Sequence, residues 1–262
     1  MLTLHEKQPG DPVSAILSRP KPYMLAHRGA SKHAPENSLA AFRLAVEAGA
    51  EMVETDLWFS RDGQIVCHHD ATLRRMTGRP ERIVDMTVDE LRRLRLRSRF
   101  DARFPDERLP TLDDVLDLLP PSVGLVVELK DRRFASPEWA AKLARQAAER
   151  VATRTIMAIS FHGRLLWGVR AAEPAFQIAH IPVVAPFPVQ QVDAFGPIWP
   201  LLALNPGYVA WVHRRGKWLC PLDPQPHKRL RWYLRLGVDA ILTDDPAETR
   251  ARIARLRTPE PI

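Results

Sequence analysis

The amino-acid sequence predicts an α/β protein, a (β/α)8 TIM barrel with a small insertion after the third strand. Short apolar runs bounded by Pro, Gly and Asp alternate along the chain with stretches that have helical spacing. Polar side chains follow the apolar runs, which is where parallel α/β barrels carry their chemistry. A length of 262 residues suits one barrel, although length alone also allows a pair of small domains.

Composition narrows the class of protein. The chain is 45% hydrophobic and 26% charged, which is typical of a globular protein with a real core. Its two cysteines, Cys67 and Cys220, cannot form a disulfide framework. Glu6 and Asp11 precede any apolar run, so the first residues lack the pattern of a signal peptide. We therefore expect a cytoplasmic protein.

The net charge of +7 has several interpretations, since a basic protein would bind an anionic substrate, an anionic membrane surface or nucleic acid. The basic excess is concentrated between positions 92 and 103, which contain six arginines. A solvated helix face explains this run best, and no nucleic-acid-binding signature accompanies it. We expect a small-molecule substrate, no nucleic-acid partner and at most weak contact with an anionic membrane.

Residues 174–212 form a nearly uncharged segment in which Asp193 is the one formal charge. The part from 194 to 212 is long enough to resemble a membrane span. Seven prolines interrupt the whole segment, however, and a continuous spanning helix is therefore not expected. Buried strands joined by proline-rich loops are the preferred interpretation, and any exposed part could meet a lipid or an apolar substrate tail.

The elements follow in order after residue 22. Strands are predicted at 23–26, 51–57 and 64–67, with a helix over 38–48 that ends at Gly49. Residues 71–110 break this rhythm and are interpreted as an insertion over the barrel mouth, with a capping box at Thr87 that starts a short helix. The domain prediction is a single unit over 1–262, with its core at about 23–247.

The strand–helix rhythm resumes at Pro110. Helices are predicted at 111–119, 137–150, 164–172, 208–215 and 227–236. Strands are predicted at 123–129, 155–161, 177–183, 201–204, 217–222 and 239–243. Because this makes nine strands for eight barrel positions, one of them must be peripheral or wrong.

Three carboxylates stand out. Glu54 and Asp56 lie two apart on one strand, so both side chains project from the same face and repel each other unless a cation lies between them. Glu128 ends another strand, and together the three would make an all-oxygen site for Mg²⁺ or Ca²⁺. The alternative is pairing with arginine, which the Glu-x-Asp pattern alone would favour.

His27 and His69 both follow predicted strands, and histidine exchanges protons near neutral pH. Two histidines can serve as general base and general acid, although a lone histidine is more often structural. Arg28 and Lys130 also lie at strand ends, and both could hold a phosphate. Carboxylates, a metal, two histidines and two cations together indicate phosphoryl chemistry.

The ordered set of motifs resembles the glycerophosphodiester phosphodiesterase family. Its opening pattern is matched by His27-Arg28-Gly29, Pro35-Glu36-Asn37, Glu54-Thr55-Asp56, Arg61-Asp62-Gly63 and the run from His69-Asp70 to Leu73-Arg74-Arg75. Later features are matched by Leu109-Pro110-Thr111-Leu112, Glu128-Leu129-Lys130, Ser160-Phe161 and the run from Gly237 to Pro246. The resemblance covers about residues 23–247.

The resemblance implies a (β/α)8 barrel with His27 and His69 as the acid–base pair. It implies Glu54, Asp56 and Glu128 as ligands of a divalent cation, Mg²⁺ or Ca²⁺. Arg28 and Lys130 become phosphate contacts, and Glu36 and Asn37 shape the site. We therefore expect hydrolysis of glycerophosphodiesters to sn-glycerol 3-phosphate and an alcohol.

The chain departs from the family pattern on the penultimate strand. Where the family usually has Trp-Thr-Val-Asn, this sequence has Cys220-Pro221-Leu222-Asp223, so an aromatic wall is missing there, with Trp218 nearby. This departure bears on substrate preference rather than on the catalytic core. Two alternatives stay open: a lysophospholipase D-like hydrolase of lysophospholipids, and a non-catalytic barrel that binds a phosphoester.

Overall fold

The computed structural model describes residues 20–151, 155–174, 176–184 and 191–258. The first nineteen residues, on which the expectation about a signal peptide depends, lie outside this range. Parts of the uncharged segment 174–212 also lie outside it. Strands and helices are assigned only within these ranges.

Nine strands form one sheet. In chain order they are β1 (Tyr23–Ala26), β2 (Met52–Phe59), β3 (Ile65–Cys67), β4 (Gly124–Leu129), β5 (Ile156–Ser160), β6 (Gln177–His180), β7 (Ala194–Phe195), β8 (Trp218–Leu219) and β9 (Ala240–Thr243). All except β3 pair in parallel, in the order β8-β7-β6-β5-β4-β2-β1-β9. The backbone N–H of Asp239 donates to the carbonyl of Leu219 at 2.9 Å and nearly closes the ring. The predicted TIM barrel is confirmed.

Ten α-helices connect the strands. They are α1 (Leu39–Glu47), α2 (Arg74–Thr77), α3 (Val88–Arg92), α4 (Leu112–Leu118), α5 (Pro137–Val151), α6 (Gly163–Ala172), α7 (Trp199–Leu204), α8 (Tyr208–His213), α9 (Leu230–Leu236) and α10 (Pro246–Arg257). The helix starts predicted from local signals are confirmed. Thr87 and Thr111 each accept from the N3 backbone in a complete capping box, and the side chain of Ser38 caps α1.

The helices pack outside the sheet and bury a large apolar core that includes Phe42, Phe59 and Phe134. A smaller apolar cluster fills the barrel interior, with Leu25, Met52 and Val126 among its members. Since side chains alternate across a strand, each strand contributes to both layers. The barrel interior is apolar towards the amino ends of the strands and polar at the carboxyl ends of β1, β2 and β4.

One strand prediction is wrong, and one barrel strand was not predicted. Residues 201–204 form the last turns of α7 rather than a strand, because Pro200 lies in the first turn of that helix, where its missing N–H costs nothing. A short apolar run does not distinguish a buried strand from a buried helix. The barrel strand in this region is instead β7, which has two residues and therefore no periodicity that a sequence pattern could reveal.

The peripheral strand among the nine candidates is β3, which runs antiparallel to the far half of β2. After it, residues 71–110 contain α2, a 3₁₀ turn at Ile83–Asp85 and α3. This segment has its own apolar cluster, with Leu73, Met76 and Leu91 fully or almost fully buried. Helix α10 was not predicted, and its low amphipathicity explains why.

None of the helices in the described ranges combines the length and the hydropathy that crossing a lipid bilayer would require. The part of segment 194–212 that resembles a membrane span is divided into β7, α7 and α8.

Candidate active site

The three predicted carboxylates meet at the carboxyl end of the barrel. Strands β2 and β4 pair in a register that places Asp56 beside Glu128, and Glu54 lies on the same face of β2 two positions earlier. One oxygen from each of the three groups lies within 4.8 Å of the others. All three residues are buried, with relative exposures of 2% for Glu54, 1% for Asp56 and 8% for Glu128.

Burial and mutual repulsion dominate the electrostatics of this cluster. Desolvation, followed by the negative charges of Asp56 and Glu128, raises the pKa of Glu54 well above its usual range. Desolvation likewise raises the pKa of Glu128, although Lys130 opposes the shift. Glu54 Oε1 is buried and accepts no hydrogen bond from the described residues. A buried, unpartnered carboxylate oxygen is costly unless another group binds it.

A hard divalent cation fits this donor set. The cluster offers carboxylate oxygens only, at least one of which has no other partner, and it contains no sulfur or imidazole ligand. Mutually repelling carboxylates become favourable neighbours when a cation is placed between them. Glu54, Asp56 and Glu128 are therefore the residues that could hold such an ion.

A tight turn after β1 brings His27 and Arg28 to the same end. Arg28 and Gly29 have positive φ angles of 56° and 78°. A side chain at Gly29 would approach the backbone of Ala41 to 2.6 Å, so only glycine fits. This turn points the backbone N–H of Arg28 at Glu54 Oε2, 3.0 Å away.

The guanidinium of Arg28 lies between two carboxylates. Nη1 donates to Glu36 Oε1 at 3.0 Å, and Nε lies 3.3 Å from Asp56 Oδ2. Burial would lower the pKa of Arg28, but Asp56, Glu36 and Glu54 outweigh it and raise the pKa. Arg28 is therefore a fixed positive charge at the edge of the carboxylate cluster.

Asn37 holds the other side of Asp56. It also has a positive φ, 54°, and its Nδ2 donates to Asp56 Oδ2 at 2.9 Å. Its Oδ1 accepts from the hydroxyl of Thr55 at 2.7 Å. A non-glycine residue at positive φ costs free energy, which these bonds offset, and Asn tolerates that region better than most residues.

Lys130 follows β4 and neutralises part of the cluster. Its Nζ lies 2.7 Å from Glu128 Oε1 and 3.2 Å from Asp56 Oδ1. Burial would lower the pKa of Lys130, but the two carboxylates outweigh this effect and raise it. Arg28 and Lys130 therefore stand on two sides of Asp56 as permanent cations.

His69 lies at this site because β3 runs antiparallel to β2, which the sequence pattern did not predict. Because β3 folds back along β2, the backbone N–H of His68 donates to the carbonyl of Asp56 at 2.9 Å. His69 thus returns to the carboxyl end of the barrel, and its carbonyl accepts from Trp58 Nε1 at 3.2 Å. Its neighbour His68 is buried and bonds to the carbonyl of Thr72 instead.

Each of the two predicted histidines has a carboxylate on the same ring nitrogen. His27 Nδ1 lies 2.7 Å from Asp244 Oδ1, and His69 Nδ1 lies 2.7 Å from Asp70 Oδ1. These contacts favour the tautomer in which Nδ1 carries the proton. Nε2 of both rings has no hydrogen-bond partner among the described residues, so it is the nitrogen that can exchange a proton.

A second layer of charge supports these groups. Arg75 donates to both oxygens of Glu36, at 2.9 and 2.7 Å, and its Nε donates to Asp70 Oδ2 at 2.7 Å. Burial would raise the pKa of both carboxyls, but Arg75 outweighs it, joined by Arg28 at Glu36 and by His69 at Asp70. As a result the pKa of each is about 2. Both carboxylates remain ionised near neutral pH.

Sequence reasoning did not assign roles to Asp244, Asp70 or Arg75. Asp70 and Arg75 stand inside the motif that begins at His69, and Asp244 follows β9, where polar residues of a barrel are expected to be functional. The strand-end position was the available signal. Asp70 meets its neighbour His69, whereas the contacts of Asp244 with His27 and of Arg75 with Glu36 join distant segments.

Cys220, where the sequence departs from the family pattern, lines an apolar space in the barrel together with Trp218. Trp218 does not replace the missing aromatic wall, because it stacks on Tyr23 at the opposite, amino end of the strands. A cavity of about 70 Å³ lies in the interior, with Ile159, Cys220 and Leu222 in its lining. Burial raises the pKa of the Cys220 thiol to about 12, so it is not a nucleophile at neutral pH.

The chain is similar to known proteins over most of its length. A model of the Glycerophosphoryl diester phosphodiesterase family matches residues 27–248. A "Glycerophosphodiester phosphodiesterase" of Caldanaerobacter subterraneus subsp. tengcongensis is 30% identical over 240 residues, which cover 90% of this chain and 98% of the relative. A protein of the same name from Bacillus altitudinis is 27% identical, over 85% of this chain and 94% of that one.

Solved structures have the same fold. A glycerophosphodiester phosphodiesterase from Agrobacterium tumefaciens superposes with a TM-score of 0.76 and 27% identity, covering 88% of this chain and all of that one. An Oleispira antarctica phosphodiesterase, solved with the product sn-glycerol-3-phosphate, gives a TM-score of 0.81 at 24% identity. The superposition covers 89% of this chain and 97% of that one. At 24% identity, this similarity shows a shared fold and nothing more.

Proposed function

We propose, since this chain belongs to the glycerophosphoryl diester phosphodiesterase family, that it hydrolyses glycerophosphodiesters to sn-glycerol 3-phosphate and an alcohol. That the chain is an enzyme, a phosphoric diester hydrolase, follows from its family. The proposed part is the chemistry: a divalent cation and two histidines. The observation that carries it is the pair of carboxylate-anchored histidines beside three buried carboxylates.

The substrate phosphate would bind between the two cations of the site. Arg28 Nη2 has no partner among the described residues, and Lys130 has an ammonium proton to spare beyond its two carboxylate contacts. A planar guanidinium and a point charge on opposite sides would orient the phosphodiester and stabilise the charge that develops on it. Asn37 and Glu36 keep Asp56 and Arg28 in place for this task.

Glu54, Asp56 and Glu128 would hold Mg²⁺ or Ca²⁺. When bound, such an ion acts as a Lewis acid on a phosphoryl oxygen and orients the substrate. In this chain the carboxylates supply the negative charge, and Arg28 and Lys130 limit the repulsion between them.

The histidines would move the protons. At Nε2, one of them accepts a proton from the nucleophile, which is either water or the substrate's own 2-hydroxyl, as a new P–O bond forms. The other donates a proton from Nε2 to the leaving alkoxide as the old P–O bond breaks. With the 2-hydroxyl this step yields a cyclic phosphate, which water then opens to sn-glycerol 3-phosphate with the roles of the two histidines exchanged. Asp244 and Asp70 stabilise each ring when it is protonated and hold it in one orientation. The geometry is compatible with either assignment of acid and base.

The test measures release of sn-glycerol 3-phosphate from glycerophosphocholine with Mg²⁺, Ca²⁺ or EDTA. We expect metal-dependent release that H27A and H69A abolish, whereas H33A, a half-exposed histidine outside the site, keeps the wild-type rate. Release that survives EDTA would contradict the metal. Release that survives H27A and H69A would contradict the acid–base roles.

A second candidate is lysophospholipase D-like hydrolysis, and one observation favours it. The barrel interior contains an apolar cavity. Exposed apolar side chains lie at the carboxyl end of the barrel: Phe161 after β5, Val183 after β6 and Trp199 at the start of α7. The ring of Phe161 lies 6.0 Å from Lys130 Nζ, so this apolar surface reaches the site. An apolar group of the substrate could bury there.

Rates on lysophosphatidylcholines of increasing chain length, compared with glycerophosphocholine, separate the two candidates. A rate that rises with chain length and falls in C220L, which fills the cavity, would favour the lipid substrate. Sedimentation with anionic vesicles tests the weak membrane contact. A cytoplasmic location remains a proposal, which the two unpaired cysteines support.

A further inference from the structure

Two parts of the site that lie far apart in the sequence share one side chain. Glu36, on the loop after β1, binds Arg28. Asp70, on the loop after β3, binds His69. Both carboxylates also bind Arg75, which belongs to α2. Arg75 has no direct part in the proposed chemistry.

The guanidinium of Arg75 satisfies both carboxylates at once. Its Nη1 and Nη2 form a bidentate pair with Glu36, and its Nε points in the other direction to Asp70 Oδ2. The fixed fork of arginine makes this geometry available, whereas lysine has one nitrogen and cannot reach both carboxylates in the same way. The contact thus depends on the shape of the side chain as well as on its charge.

Arg75 binds one oxygen of Asp70 and leaves the other to His69, and it shares one oxygen of Glu36 with Arg28. With Oδ2 of Asp70 held by Arg75, Oδ1 faces His69 Nδ1 at 2.7 Å. Glu36 Oε1 accepts from both Arg75 and Arg28. Arg75 therefore fixes the orientation of a histidine and of an arginine in the same bond network.

The protein around Arg75 keeps its backbone in place. Leu73 and Met76, on either side of it, are buried in the apolar cluster of residues 71–110. Arg74, the adjacent residue, is exposed and has no ion pair among the described residues. The chain therefore provides a matched control at the next position.

We propose that Arg75 is a positioning residue that aligns His69 and Arg28 with each other for the reaction. This inference rests on the proposed function, because it assumes that these two residues act on the substrate. Arg75 touches neither of the reacting groups directly, so its effect passes through Asp70 and Glu36. It also gives the start of the 71–110 segment a part in the active site.

The experiment compares R75A, R75K and R75Q with R74Q on glycerophosphocholine. Loss of such supporting contacts costs roughly 10- to 100-fold in rate. We expect that loss in kcat/KM for all three Arg75 variants at an assay temperature well below their Tm, and wild-type values for R74Q. Because the contacts with Glu36 and Asp70 also support the fold, the Tm of the Arg75 variants should fall by several degrees. Millimolar guanidinium should restore part of the activity of R75A and none of that of H69A. Activity of R75A within twofold of wild type would overturn the proposal, and so would a loss in folded R75A that guanidinium does not restore.

A readout without substrate separates this proposal from the proposed function. Nitrogen-15 NMR of the His69 ring reports which ring nitrogen carries the proton. In the wild type we expect Nδ1 to carry it, and in R75A a mixture enriched in the Nε2 form. A changed tautomer in R75A would support positioning by Arg75 even if glycerophosphocholine proved not to be a substrate. An unchanged tautomer would overturn it even if the enzyme were active.

Discussion

His27 and Asp244 are 217 positions apart in the chain, and their side chains meet at 2.7 Å. The contact follows from the pairing of β1 with β9, in which Ala26 lies opposite Thr243, so that the next residue of each strand reaches the same point. The hydroxyl of Ser31 donates to the same Asp244 oxygen at 3.1 Å. Asp244 Oδ1 is therefore shared by Ser31 and His27, and the bond from Ser31 helps to fix the oxygen that His27 meets.

Replacing Asp244 by asparagine should lower kcat by roughly 10- to 1000-fold, because an amide neither fixes the Nδ1–H tautomer nor stabilises the imidazolium. Steady-state hydrolysis of glycerophosphocholine measures this loss. D89N, at an exposed acidic residue of α3, should behave as the wild type. Equal rates in D244N and wild type would remove Asp244 from the site.

Mg²⁺ or Ca²⁺ should stabilise the fold by binding the three carboxylates. At a hundredfold excess over Kd, a ligand of the native state adds about 2.7 kcal/mol to the free energy of unfolding, which appears as a higher Tm. The increase should disappear in E54Q and D56N and remain in E47Q, an exposed glutamate of α1. An equal increase in E54Q would place the ion elsewhere.

Metal binding should also release protons. Because desolvation and neighbouring carboxylates raise the pKa of Glu54, and desolvation raises that of Glu128, protons compete with the ion at a higher pH than at ordinary carboxyls. The apparent affinity should therefore fall as the pH is lowered. Calorimetric titrations in buffers of different ionisation enthalpy count the protons released, and identical heats in all buffers would contradict the prediction.

Acid should weaken the fold partly through Glu36. Its pKa is about 2 in the folded protein, against 4.5 for an ordinary glutamate, so its ionic contacts stabilise fully above the unfolded value and are lost as the pH falls towards 2. The contribution is on the order of 3 kcal/mol, since one pKa unit corresponds to about 1.4 kcal/mol. Urea unfolding at pH 7, 5, 4 and 3 should show a smaller loss for E36Q than for wild type and E47Q.

Gly29 should be the least replaceable glycine of the described chain. In G29A the new Cβ would meet the backbone of Ala41 at a positive φ, and we expect a loss of roughly 3 kcal/mol or more. G216A is the matched control, since Gly216 also has a positive φ but nothing lies within 4 Å of the added carbon. It should lose about 1 kcal/mol by urea unfolding. Equal losses would show that strain alone, without the close approach, sets the cost.

Features that depend on near neighbours could be predicted from the amino-acid sequence. The capping boxes at Thr87 and Thr111 close between residues three apart, and Glu54 and Asp56 share a face because strand side chains alternate. The barrel class followed from the alternation of such elements, and the position of polar residues at strand ends identified the seven predicted site residues. What those residues do in the reaction remains a prediction.

Contacts between side chains of distant segments could not be predicted in this way, because they depend on the packing of the whole barrel. The pairs His27–Asp244 and Arg75–Glu36 join residues that follow different strands. Whether such residues meet depends on strand order and register. Residues 201–204 turned out helical, and β3 turned back along β2 to deliver His69, because packing decides between structures that a short apolar run permits equally. Local patterns are encoded in adjacent residues, whereas a barrel site is assembled from contacts that no adjacent residues contain.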